Sequence, residues 1–99
     1  MIIQYKNLDE LKLGEKGIVR QVTEKYAARI ERSFPQEDAT LVVHIKDYSP
    51  LGERIKYSVH VRVTKISGLS AQAVGWDLHK ATRLAFEKLQ KEIEHRFRK

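Results

Sequence analysis

The sequence predicts an α+β fold, a two-layer β-α-β-β-β-α arrangement with four strands in one sheet and both helices packed on one of its faces. Three observations predict it. Residues 15–34 and 77–99 carry apolar side chains at helical spacing with charge on the opposite side. Residues 40–46 and 56–64 alternate apolar and polar, as half-buried strands do. Pro35, Pro50, Gly52 and Gly68 fall between these stretches, where turns belong. Each helix has one apolar stripe and one wet face, so both must cover the same side of the sheet.

Ile2 to Tyr5 is expected to form a short first strand, after which Leu8, Leu11 and Leu13 can pack inward along a polar turn. The first helix is expected over 15–34. Gly14 is a weak N-cap, Glu15 suits the positive helix end, and Pro35 stops the helix. Its stripe is Ile18, Val22, Tyr26, Ile30 and Phe34, with Val19 beside it. Leu41, Val43 and Ile45 then face one way and Val42, His44 and Lys46 the other. Residues 47–52 read as turn chemistry, so the next strand forms an antiparallel hairpin with its predecessor. Its Tyr57, Val59, Val61 and Val63 point to the core, and Lys56, Ser58, His60 and Arg62 point away. The expected pairing sets His60 near Val42 and His44 near Ser58. Ser67-Gly68 turns the chain into a fourth strand, 69–74, whose Ala71 and Ala73 are small enough for a helix to approach closely.

The final helix begins after Asp77, whose carboxylate can accept N–H groups left unpaired by the first turn. No Pro or Gly follows. Leu78, Ala81, Ala85, Leu89 and Ile93 form its apolar stripe, widened by Phe86 and Phe97. Beside that stripe project Lys80, Lys88, Lys91, His95 and Arg98, with Lys99 at their edge, while Glu87 and Glu94 lie on the far flank. Lys25, Arg29 and Arg32 line up in the same way on the first helix. Glu87–Lys91, Glu92–Arg96 and Glu94–Arg98 are pairs four apart on the final helix, and Glu24 and Glu31 flank the cations of the first; pairs four apart stabilise a helix by ~0.2–0.5 kcal/mol each whether or not the surface binds anything.

Ninety-nine residues make one domain, 1–99. There is no cysteine, which excludes a disulfide scaffold, a cysteine–zinc site and thiol chemistry, and fits a reducing compartment. No apolar run approaches the ~20 residues of a membrane span, and the first residues show no basic-then-apolar leader, so a cytoplasmic protein without a membrane role is expected. The net charge of +6 favours a polyanionic partner. His44, His60, His79 and His95 show no ligand spacing, the five glycines form no phosphate loop, and no nucleophile motif is present. No metal, cofactor or enzyme activity is expected. The cations of the two helices, if their basic flanks face each other, would border one groove able to track phosphates, better suited to structured RNA than to reading DNA bases. Trp76, at the strand–helix corner, is expected to serve as a packing wedge rather than a stacking platform. Tyr48, at the hairpin tip, is the better candidate for contact.

The run Ala71-Gln72-Ala73-Val74-Gly75-Trp76-Asp77-Leu78-His79-Lys80-Ala81 resembles the A-x-A-x-G-x-D-[ML]-x-x-A strand-to-helix junction of ribosome hibernation-promoting factors. Glu87-Lys88-Leu89-Gln90-Lys91-Glu92-Ile93 is similar to that family's D-K-L-x-R-Q-L segment, and Val19-Arg20 and Ile30 to Phe34 fit its first helix. The resemblance covers nearly the whole chain and implies the same element order. It implies a domain that binds the small ribosomal subunit and its rRNA in the channel of messenger and transfer RNA, silencing or preserving idle ribosomes. It implicates Arg20, Arg29, Lys88, Lys91, His95 and Lys99 in RNA binding; Lys25, Arg32, Lys80 and Arg98 join them from the ridge argument. Here His95 and Tyr26 stand where the family often has lysine, the hairpin loop is longer, and Glu92 and Glu94 dilute the charge. Ending at Lys99, the chain resembles a short form of the family. A generic double-stranded-RNA binder and a protein-interaction module, its charge serving solubility, are the rival readings.

Overall fold

The computed structural model describes residues 2–33, 39–48, 55–64 and 69–97. Four strands, β1 (Ile2–Lys6), β2 (Thr40–Tyr48), β3 (Lys56–Val63) and β4 (Ser70–Gly75), form one sheet in that order, with α1 (Leu13–Ser33) after β1 and α2 (Leu78–Phe97) after β4. This is the β-α-β-β-β-α order read from the sequence. β1 and β2 run parallel, joined through α1, and the other pairs are antiparallel. The Pro35 stop, the end of the first-helix stripe at Phe34, and the turns at 49–52 and 67–68 lie outside the described residues.

The alternating strands place Leu41, Val43, Ile45, Val59, Val61 and Val63 on the inner face, each no more than 2% exposed. Leu69 and Ala73 join them from the β4 side, and Ile3 and Tyr5 pack at the β1 side. Against this surface α1 lays Val19, Val22, Tyr26, Ala27 and Ile30, and α2 lays Leu78, Ala81, Ala85, Phe86, Leu89 and Ile93. The helices also pack on each other through Tyr26 and Phe86, whose rings stack with centroids 5.3 Å apart and planes 8° from parallel. Offset stacking of this kind adds ~0.5–1.5 kcal/mol to what burial contributes.

Helix ends follow local chemistry. The Asp77 carboxylate accepts the Lys80 N–H at 3.1 Å, the expected N-cap. α1, however, starts at Leu13 rather than Glu15, and Gly14 lies within its first turn. The Glu15 side chain explains the earlier start: it reaches back to accept the Lys12 N–H at 3.0 Å, one half of a capping box. Its other oxygen accepts the Tyr57 hydroxyl, tying the helix start to β3. Burial and the Glu15 charge push the Tyr57 phenol up to about 12, so it stays neutral. Leu8 and Leu11 are buried as expected, but Leu13 is 85% exposed because the helix start turns it outward.

β2 runs two residues past Lys46, which changes the hairpin register. His44 lies directly opposite His60, and Lys46 opposite Ser58, so the expected pairing of His60 with Val42 was two residues off. A slip of two keeps every side chain on its own face, which is why alternation alone could not detect it. Val42 does point to the outer face, yet it is 3% exposed, set between Gln4 and Arg62 in the register.

Candidate nucleic-acid interface

Two contacts orient α2 about its axis. Phe86 points to α1, through the Tyr26 stack. Lys88 points to the opposite side, where its Nζ donates to the Gln72 carbonyl of the edge strand β4 at 3.2 Å. At ~100° per residue the two positions are roughly 200° apart, so α1 and β4 flank α2 on opposite sides. Lys80 and Lys91 therefore lie on the outer crest of α2, and Lys88 and His95 on its β4 flank; all four are exposed.

On α1 the flank toward α2 is marked by Tyr26. Arg29 follows it, with its guanidinium carbon 5.3 Å from the Tyr26 ring centroid, a cation–π contact at the helix–helix seam. Lys25 and Arg32, four before and three after Arg29, continue that ridge outward and are exposed. Arg20 stands apart. It lies on the β1 side of the helix with Glu24, where both act electrostatically on the Tyr5 phenol. Arg98 and Lys99 lie outside the described residues.

The expected groove, with the two basic flanks facing each other, is thus replaced by a different arrangement. The α1 ridge borders the seam, while the α2 ridge starts on the crest and turns away toward β4. The cations spread over the outer surface of the helix layer as a broad face. Between the ridges runs the α1-facing shoulder of α2, with His79, Arg83, Glu87 and Glu94. Arg83 Nε sits 3.5 Å from Glu87 Oε1. Sequence reasoning missed Arg83; its position three after Lys80 was the available signal, since such residues share a helix face.

Trp76 is 44% exposed and so is not the buried wedge expected. It follows β4, which has no further strand beside it among the described residues. Lys56 Nζ lies over its ring, 5.4 Å from the centroid. A shallow cleft of about 330 Å³ opens beside it, lined by Val74, Trp76, Asp77, Lys80, Ala81 and Leu84. The backbone of Tyr48 closes β2, and its side chain is outside the described set. Among the described residues no three His, Asp or Glu side chains group to hold a metal, and no helix is long and apolar enough to cross a membrane.

Comparison with known proteins places the chain. The model of the sigma 54 modulation protein / S30EA ribosomal protein family matches residues 3–99. No curated protein matches. A ribosomal subunit interface protein from Coxiella burnetii superposes with a TM-score of 0.61 at 24% identity, covering 100% of both chains. The N-terminal domain of Protein Y from Thermus thermophilus superposes with a TM-score of 0.57 at 22% identity, covering 97% of this chain and 94% of its own. At such identities these likenesses speak to the fold; the family match speaks to descent. With that match running from the first strand to the last residue, the chain belongs to the sigma 54 modulation protein / S30EA family of ribosome-associated proteins, the group that the Ala71–Ala81 junction resembles.

Proposed function

We propose that the domain binds the small ribosomal subunit with its helix layer against rRNA, and that it blocks the path of messenger and transfer RNA by occupying it, without catalysis. The observation that carries this reading is the broad basic face: Lys25, Arg29 and Arg32 from α1 with Lys80, Lys88, Lys91 and His95 from α2. A face of that breadth suits the irregular phosphate surface of folded RNA, where lysine and arginine gain affinity by releasing counterions. Arg98 and Lys99 extend the proposed face in sequence, whereas Arg20, implicated by resemblance alone, stands on the β1 flank outside it. One solved relative is described as a ribosomal subunit interface protein, which agrees with this partner.

Cosedimentation tests the reading. The protein is expected to travel with 30S subunits at low salt and to leave them as salt rises. Absence from the 30S fraction at low salt contradicts it, and equally tight binding to naked duplex RNA favours the rival double-stranded-RNA reading.

A further inference from the structure

The side of the sheet that the helices leave uncovered has its own chemistry. Register assigns to it Ile2, Gln4 and Lys6 of β1, Thr40, Val42, His44 and Lys46 of β2, Lys56, Ser58, His60 and Arg62 of β3, and Ser70, Gln72 and Val74 of β4. The chain has 13 carboxylate side chains, and none occupies an outward position on any of the four strands. Strands disfavour Asp and Glu, but they disfavour Lys as well, and this face nevertheless carries Lys6, Lys46, Lys56 and Arg62.

At its centre His44 and His60 stand directly opposite each other, over a concavity of about 280 Å³ shared with Lys46, Ser58 and Gln72. Gln72 Nε2 donates to Ser58 Oγ at 2.8 Å, closing one side of it. Asn7 Nδ2 lies 2.8 Å from His44 Nε2 and donates to it when that ring is neutral with its proton on Nδ1. At the edge Trp76 presents its half-exposed ring beneath Lys56. Cations, flat rings and amide groups on an open sheet, without carboxylates, are what unstacked nucleotides require: charge for phosphates, π-faces for bases.

We propose that this open face of the sheet is a second nucleic-acid surface that takes single-stranded RNA, with phosphates against Lys6, Lys46 and Arg62 and a base against Trp76. The base replaces Lys56 over the indole, and the freed ammonium turns to the phosphate. The surface lies on the other side of the sheet from the helix layer and meets it only at the Trp76 cleft, where Lys80 of α2 is also in the wall, so the domain can hold folded RNA on one side and a single strand on the other.

The histidine pair makes the surface sensitive to pH. Burial, then Arg62, then His44 hold the His60 imidazole below its ordinary value. Lys6 and Lys46, beside His44, bring only positive charge to the same face. A phosphate arriving there favours the protonated His60 ring, so binding tightens as pH falls. In the free protein a lowered His60 value has the opposite sign for stability: the fold loses stability as pH falls through the ordinary imidazole range near ~6.5. The folded fraction is therefore checked at each pH.

The test titrates the full chain, free of ribosomes, with an oligouridylate of about twelve nucleotides, followed by amide NMR shifts and Trp76 fluorescence. Expected are shifts at 44–46, 58–62 and 72, quenching of Trp76, and tighter binding at pH ~6 than at ~7.5. The Lys46→Glu/Arg62→Glu variant is expected to bind at least ~10-fold more weakly, and His44→Gln/His60→Gln to flatten the pH dependence while keeping a dispersed spectrum. Shifts confined to α1 and α2, or unchanged affinity in a folded Lys46→Glu/Arg62→Glu variant, overturn the proposal. Either result leaves the small-subunit reading standing, since no ribosome enters the experiment.

Discussion

Replacing Phe86 with alanine lowers the unfolding free energy by about 3–5 kcal/mol, the largest loss expected from any single substitution in this domain. Phe86 is completely buried and is among the largest side chains in that position. It is also the stacking partner of Tyr26, so its loss opens a cavity where the helices meet each other and the sheet. Domains of this size are stable by only ~5–15 kcal/mol, and each kcal/mol moves the midpoint of a 60–100-residue domain by ~4–8 °C. Thermal and urea unfolding followed by circular dichroism check the prediction. Phe86→Leu, which refills most of the volume, is expected to recover more than half of the loss. A Phe86→Ala protein within ~1 kcal/mol of the parent would mean that the helix–helix contact contributes little.

Reversing two charges on α2, Lys88→Glu with Lys91→Glu, weakens binding to small subunits by at least ~10-fold and makes its salt dependence shallower. Each lost phosphate contact removes ~0.7–0.9 from the slope of log K against log salt, so two contacts remove up to ~1.8. The effect on the fold is small, since both side chains are exposed and the Lys88 bond to the Gln72 carbonyl lies at the surface. Lys25→Glu with Arg32→Glu on α1 is expected to act in the same direction, because that ridge lies on the same outer layer. Arg20→Glu serves as the internal contrast. Its side chain belongs to the β1 flank, beside Glu24 and Tyr5, and its reversal is expected to cost less than ~3-fold. Binding titrations over a salt series separate these outcomes. Equal losses from Arg20→Glu and from the α2 pair would place the RNA on a different side of α1.

How much of this was legible in the sequence depended on whether a feature was local. The Asp77 cap, the inward valines of β3 and the α2 stripe were readable because each rests on neighbours within four residues. α1 starts two residues earlier than the Gly14 cap predicts, because the Glu15 side chain caps backward to Lys12 and bonds to Tyr57, 42 residues away. The His44–His60 pair escaped because a two-residue slip leaves the hydrophobic pattern unchanged. Trp76 was misjudged because its exposure depends on β4 being an edge strand, a property of strand order. The rows of cations were visible as spacing, but which flank of α2 faces α1 is set by Phe86 meeting Tyr26, a contact between residues 60 apart in the chain. The same reasoning explains why Arg83 was overlooked: only the packed pair of helices shows that it stands between the two ridges.

The proposed seat of rRNA is the outer surface of the helix layer. Lysine acetylation footprinting of the protein bound to small subunits tests it most directly, residue by residue. Lys25, Lys80, Lys88 and Lys91 are expected to lose reactivity in the complex relative to the free protein. Full reactivity of those four lysines in a saturated complex would contradict it.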